Sequence, residues 1–228
     1  MHVRQRGNDG QDCFRTERDR LVYLVILREL CVKTRCALHA YCLMTNHVHL
    51  LLTPREERAC ATLMRDLGQR YVQYFNRRHK RTGTLWEGRF RSCLVESREY
   101  VLGCYRYIEM NPVEAGMVDV PSAYRWSSHL GNTGGTDNKL LTPHVEYAAL
   151  AEEPAARPAA YLRMFEGRQD PELVKTIRAA TFGGYPLIGD ELKSRLSASG
   201  CRIEPRKAGR PSKDPAENLD QRSLELGL

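Results

Sequence analysis

The chain has 228 residues, 42% of them hydrophobic, and a formal net charge of +7. That is enough for one sizeable core and a smaller unit beside it. No apolar run reaches the ~20 residues that cross a bilayer, and charge and glycine in MHVRQRGNDG stand where a secretory segment would be apolar, so a cytoplasmic protein with no membrane partner is expected. Eight cysteines (Cys13, Cys31, Cys36, Cys42, Cys60, Cys93, Cys104, Cys201) form no C-x-x-C pair and read as small reduced core residues, not as a disulfide frame or zinc ribbon.

HVRQRG, His2 to Gly7, alternates and reads as a first strand, broken by Gly7, Asn8, Asp9 and Gly10. Thr16 suits the N-cap of a helix running to about Lys33, with Leu21, Leu24, Val25, Ile26 or Leu27, and Leu30 as its apolar stripe. Ala37 to Met44 and His47 to Thr53 read as strands joined at Thr45-Asn46, a gap that permits only an antiparallel pair. From about Glu56 a second helix places Cys60, Leu63, Met64, Leu67, Tyr71, Tyr74 and Phe75 at spacings of three and four, and ends in NRRHKRTG. Thr84 to Ser97 is extended and broken near Gly88, and Ser97 caps a third helix that Asn111-Pro112 should close. The order predicts an α+β fold, an antiparallel sheet with helices packed on a face. The first domain is expected over 1–130, a glycine-rich linker over 131–140, a small helical appendage over 141–200 and a disordered basic tail over 201–228. Within that tail RKAGRPSK carries a Gly-Arg-Pro core at Arg210, of the kind that inserts into A·T-rich minor grooves or merely solubilises a chain end.

In AYCLMTNHVHLLLTP two imidazoles interrupt an apolar strand. His47 and His49 share one face, and Val48, Leu50 and Leu52 share the other. Two histidines so placed can reach one divalent cation; otherwise one faces solvent and the other is a hydrogen-bonded core residue. Histidine-triad hydrolases would need a third histidine where Leu51 stands, and zincin, G-x-S-x-G and P-loop patterns are absent. On the third helix Tyr100, Gly103, Tyr107 and Asn111 line one face. A phenol there can attack a phosphodiester polarised by a metal, and the Asn111 amide one turn on can be a third ligand. Spacing does not separate Tyr107 from Tyr105, and helix tyrosines also serve simply as packing. Between Arg65 and Arg91 eight basic residues face two acidic ones, with Tyr71, Tyr74, Phe75, Trp86 and Phe90 interleaved. That mixture suits phosphates and stackable bases, or a solvated helix face.

The segments YCLMTNHVHLLLTP, YVQYFNRRHKRTGTLWEGRFRS and YRYIEMNPVEAGMV, followed by YRWSS, resemble the REP-associated tyrosine transposases of the single-tyrosine, His-hydrophobic-His (HUH) superfamily. The resemblance covers roughly Val3 to Ser128. It implies a ferredoxin-like or RRM-like catalytic sheet, His47 and His49 holding Mg²⁺ or Mn²⁺ with Asn111 as third ligand, and Tyr107 as nucleophile. It further implies cleavage of single-stranded DNA beside a hairpin through a 5′-phosphotyrosyl link, in a nucleoid-associated protein that is a monomer or a homodimer. Arg65, Arg70, Arg77, Arg78, Lys80, Arg81, Arg89 and Arg91, with Arg210, are the expected DNA contacts, and Trp86 either stacks on a base or packs. Thr45 stands where the family commonly has proline, a mild change expected to leave the ligands in place; the further N-terminal stretch usual in the family is missing, so either a truncated gene product or a remnant with weakened DNA binding is expected. The competing expectation is a module that binds structured nucleic acid without cutting it, such as a domesticated repressor or RNA binder.

Overall fold

The computed structural model describes residues 1–199, 203 and 204. Arg210 with its Gly-Arg-Pro core, and Cys201, lie outside the described residues. The elements are β1 (His2–Arg6), α1 (Glu17–Lys33), β2 (Cys36–Leu43), β3 (His47–Pro54), α2 (Ala59–Arg78), β4 (Arg91–Cys93), α3 (Arg98–Glu114), the single turns α4 (His129–Asn132) and α5 (Val145–Ala148), then α6 (Arg157–Arg163), α7 (Pro171–Gly183) and α8 (Asp190–Ala198). The sheet order is β2-β3-β1-β4 with every pairing antiparallel. With its β-α-β-β-α-β chain order, this is the ferredoxin-like α+β arrangement.

Paired residues of antiparallel strands point to the same face. Arg4 opposite His49 and Arg6 opposite His47 therefore place His2, Arg4 and Arg6 beside the histidines, and Arg91 and Cys93 of β4 join them. Val3, Gln5, Val48 and Leu50 point the other way, toward α2, whose Gly68 approaches Gln5. The histidine face is roofed by α3 over β2 and β3, and by α7 over β4 and β1. Helices thus cover both faces, which is why Val48, His49, Leu50, Leu51 and Leu52 are all buried in succession. One apolar core runs from Val3 through Tyr147, Tyr161 and Ile177 to Leu187, so the helical region after residue 141 shares its packing with the sheet. Gly103 makes this approach possible: a Cβ there would lie 2.9 Å from Leu173 of α7.

Three local expectations shift. The helix expected from Glu56 begins at Ala59, after Arg58 in the left-handed region (φ 63°). The third helix runs through Pro112 to Glu114 instead of closing before the proline. The Asn111 amide donates to the Tyr107 carbonyl at 2.6 Å, adding a bond in the last turn, where proline removes one. The buried stripe of α1 is Tyr23, Ile26, Leu27, Leu30 and Cys31, leaving Leu21 and Val25 exposed. The Thr16 cap is as expected and completes a capping box with Asp19. All seven described cysteines are free and buried.

A polar cluster ties the YRWSS segment to the core. Glu109 is fully buried on α3, and its two carboxylate oxygens accept bonds from Ser128, His129, Asn132 and Tyr161. Four donors fill the acceptor sites of one carboxylate. In Glu109→Ala all four lose this acceptor, Ser128 and Asn132 keeping the Tyr41 and His39 carbonyls; urea unfolding should show a loss of roughly 3–5 kcal/mol, the range for breaking a buried charged network. Arg35→Ala, which removes an exposed pair with Glu56, should cost under about 1 kcal/mol. Comparable losses would contradict this.

His39 gives a second test. It is buried between the Thr142 carbonyl (2.6 Å) and the Thr53 hydroxyl (2.8 Å), and burial pulls its pKa down to about 4. The unfolded imidazole takes up its proton near pH 6.5, so below that value the unfolded state binds more protons. Stability is therefore full above about pH 6.5 and declines as pH falls toward about 4. Tm measured across this window should fall with acidification, and His39→Gln should reduce the slope; an unchanged slope would refute the assignment.

Candidate active site

The turn before β3 fixes the first histidine. Gly7 donates its N–H to the Asn46 carbonyl at 2.8 Å, and a Cβ on Gly7 would fall 2.1 Å from the Gln11 carbonyl oxygen, so only glycine fits. Asn46 donates its amide to the Gly10 carbonyl (3.2 Å), which turns its side-chain oxygen toward His47 Nδ1 at 2.7 Å. That oxygen can only accept, so His47 carries its proton on Nδ1, and Nε2 keeps a lone pair. Thr45 serves through its carbonyl, which accepts from Cys13 and Phe14.

His49, 1% exposed, sits next to His47 with ring centroids 5.0 Å apart, and on its other side stacks on His2 at 5.1 Å. His49 Nδ1 and His2 Nε2 share a hydrogen bond of 2.9 Å, leaving His49 Nε2 outside that bond. From α3, Tyr107 sets its ring edge-on to both His49 (5.4 Å) and His2 (5.6 Å). Asn111, one turn further, reaches His47 and raises its pKa against a larger fall due to burial and the Arg4 and Arg6 charges; the outcome is about 4. Burial also drives His49 well below its ordinary value and His2 down to about 3. All three imidazoles are therefore neutral at neutral pH, the form a metal ligand needs. Arg178 of α7 lies over the Tyr107 ring at 5.7 Å, and Arg4, whose own pKa burial lowers, is close enough to Tyr107 for the phenol to oppose that fall.

The structure thus brings together His47, His49, Tyr107 and Asn111, and separates Tyr107 from Tyr105. Tyr105 is fully buried on another side of α3 against Tyr147 and Tyr161, and its hydroxyl accepts from the His144 N–H. The donor set of two imidazole nitrogens and one amide oxygen fits a divalent ion with coordination positions left for substrate. No group of three or more His, Cys, Asp or Glu side chains arranged for a metal occurs among the described residues, so the amide is needed to complete a third ligand.

The expected basic contacts divide. Arg65 pairs with Asp66 (2.9 Å) and Arg70 with Glu29 (2.6 Å), on the helix that covers the face opposite the histidines. Arg77, Arg78, Lys80, Arg89 and Arg91 are exposed, and Arg81 bonds the Thr84 carbonyl beside the Phe75 ring. Arg91 alone of this set is registered on the histidine face, opposite Arg4. Trp86 packs, 6% exposed, against Tyr71. Sequence reasoning missed His2, Arg4, Arg6, Arg178 and Thr181. The alternation of HVRQRG grouped the first three on one face, but nothing local showed that β1 lies beside β3.

Residues 2–111 match the family model described as transposase, IS200 like. A solved structure of a REP-associated tyrosine transposase bound to a REP hairpin is similar at 17% identity and TM-score 0.42, covering 63% of this chain and 84% of that one. No curated protein sequence matches. No described helix is long and apolar enough to cross a membrane.

Proposed function

We propose that the protein is a REP-associated tyrosine transposase, a metal-dependent endonuclease and strand transferase that cleaves single-stranded DNA beside hairpins through Tyr107. The observation that carries this reading is the edge-on packing of Tyr107 against His49, with His47 and Asn111 adjoining. His47, His49 and Asn111 would hold Mg²⁺ or Mn²⁺. Such an ion, when bound, polarises the scissile phosphodiester and offsets the charge that develops on it.

Tyr107 Oη attacks phosphorus and forms a new P–O bond as the bond to the 3′ oxygen breaks. The phenol proton passes to solvent, and the departing oxygen takes one up to become a free 3′-OH, leaving the 5′-phosphate on Tyr107. Arg4 and Arg178 flank the phenol and place positive charge beside the phosphate it attacks. Arg6 and Arg91 extend the positive charge along the same face, toward the phosphates of the bound strand. Arg77, Arg78, Lys80, Arg81 and Arg89 supply further backbone contacts, while Arg65 and Arg70, already paired with carboxylates, contribute less. Attack by another 3′-OH on the phosphotyrosyl link reverses the chemistry and completes transfer.

End-labelled, hairpin-flanked single-stranded oligonucleotides incubated with the protein and Mn²⁺ should give a covalent adduct that survives denaturing electrophoresis. Tyr107→Phe should abolish it, Tyr105→Phe should retain it, and His47→Ala or chelation should lower it by at least about 100-fold. DNA retained without any adduct would support a non-catalytic nucleic-acid module instead.

A further inference from the structure

α7 lies outside the segment matched to the transposase family, yet it reaches the histidines. Thr181 of α7 donates its hydroxyl proton to the Ile177 carbonyl one turn back, at 2.8 Å. With that proton committed, Thr181 Oγ1 can only accept from His2 Nδ1, which lies 2.8 Å away. The Cys93 thiol, 3.4 Å from the same oxygen, can fill its remaining lone pair. His2 is fully buried, with both ring nitrogens engaged by Thr181 and His49 and no carboxylate among those partners, and as a neutral imidazole it has a single N–H. Once that proton is on Nδ1, His2 Nε2 must accept, and the 2.9 Å bond to His49 runs from His49 Nδ1–H to His2 Nε2.

We propose that α7 is part of the active site: Thr181, acting through His2, holds His49 in the tautomer whose Nε2 lone pair is available to a divalent cation. The inference rests on the reading of His49 as a metal ligand. The chain of donors ends on a backbone carbonyl, which cannot donate, so its direction is set from the helix outward. Asn46 does the same for His47 by another route. His2 and Thr181 are positioning residues, placed behind the ligand as hydrogen-bonding groups behind metal-bound histidines are. Reversing the chain would put the proton on His49 Nε2 and block coordination.

The test uses the full chain, ¹⁵N-labelled at histidine, with long-range ¹H–¹⁵N spectra of the metal-free protein and Mn²⁺ titration followed by electron paramagnetic resonance. In the wild type and in Thr181→Ser, His49 should carry its proton on Nδ1. In Thr181→Val the His2 Nδ1–H loses its acceptor, the proton of His49 should appear on Nε2, and Mn²⁺ affinity should fall at least about tenfold. Thr181→Ala makes the same test without a second methyl, should valine disturb the packing. His49 still protonated on Nδ1, or an Mn²⁺ affinity within about twofold of wild type, in a folded variant lacking the hydroxyl would overturn the relay. His47→Ala separates the two readings: loss of Mn²⁺ binding there with no effect at Thr181 sinks only the relay, whereas unchanged Mn²⁺ binding in His47→Ala removes the metal site itself.

Discussion

Everything at the candidate site depends on β3 being buried on both faces. A strand with one solvated face could leave His47 and His49 in water as ordinary surface imidazoles. Here α3 and α7 roof the face that carries them, and the helices on the opposite side hold Val48, Leu50 and Leu52. Burial makes the protonated imidazoles costly, so the rings stay neutral with lone pairs intact. It also makes every N–H beside them seek a partner, which is why Asn46 and His2 lie against their Nδ1 atoms.

The same roof supplies the chemistry. α3 delivers Tyr107 and Asn111 one turn apart, and α7 delivers Arg178 and Thr181 one turn apart, so the two helices present four side chains to one patch of sheet. Glu109, on the same helix as Tyr107, is held by four donors from the YRWSS region and α6, which anchors α3 in the core. Gly103 lets α7 pack closely on α3. The helical region after residue 141 is thereby tied to the sheet beside the candidate site.

Much of this was legible in the sequence because it is local. The period-two placement of His47 and His49, the Thr16 cap and the antiparallel hairpin at Thr45-Asn46 depend on residues close in the chain. The pairing of Tyr107 with Asn111 is one helical turn and equally local. What remained hidden depends on contacts far apart in sequence. His2 gains its meaning only when β1 inserts between β3 and β4, and Thr181 only when α7 crosses Gly103. Tyr105 and Tyr107 differ by about 200° around a helix, but which of them faces the sheet is set by packing alone. Nothing local to Glu109 marks it for burial. Its burial shows only once Ser128, His129, Asn132 and Tyr161 converge on it. The basic run from Arg65 to Arg91 read as one patch, whereas the fold spreads it over opposite sides of the sheet.

The central claim is that His47, His49 and Asn111 form a metal centre facing Tyr107. Anomalous diffraction from crystals of the protein grown with Mn²⁺ tests it most directly. The account predicts one strong Mn²⁺ peak bound by Nε2 of both histidines and the Asn111 side-chain oxygen, next to the Tyr107 hydroxyl. A peak elsewhere, coordination through Nδ1, or no peak at saturating Mn²⁺ would contradict it.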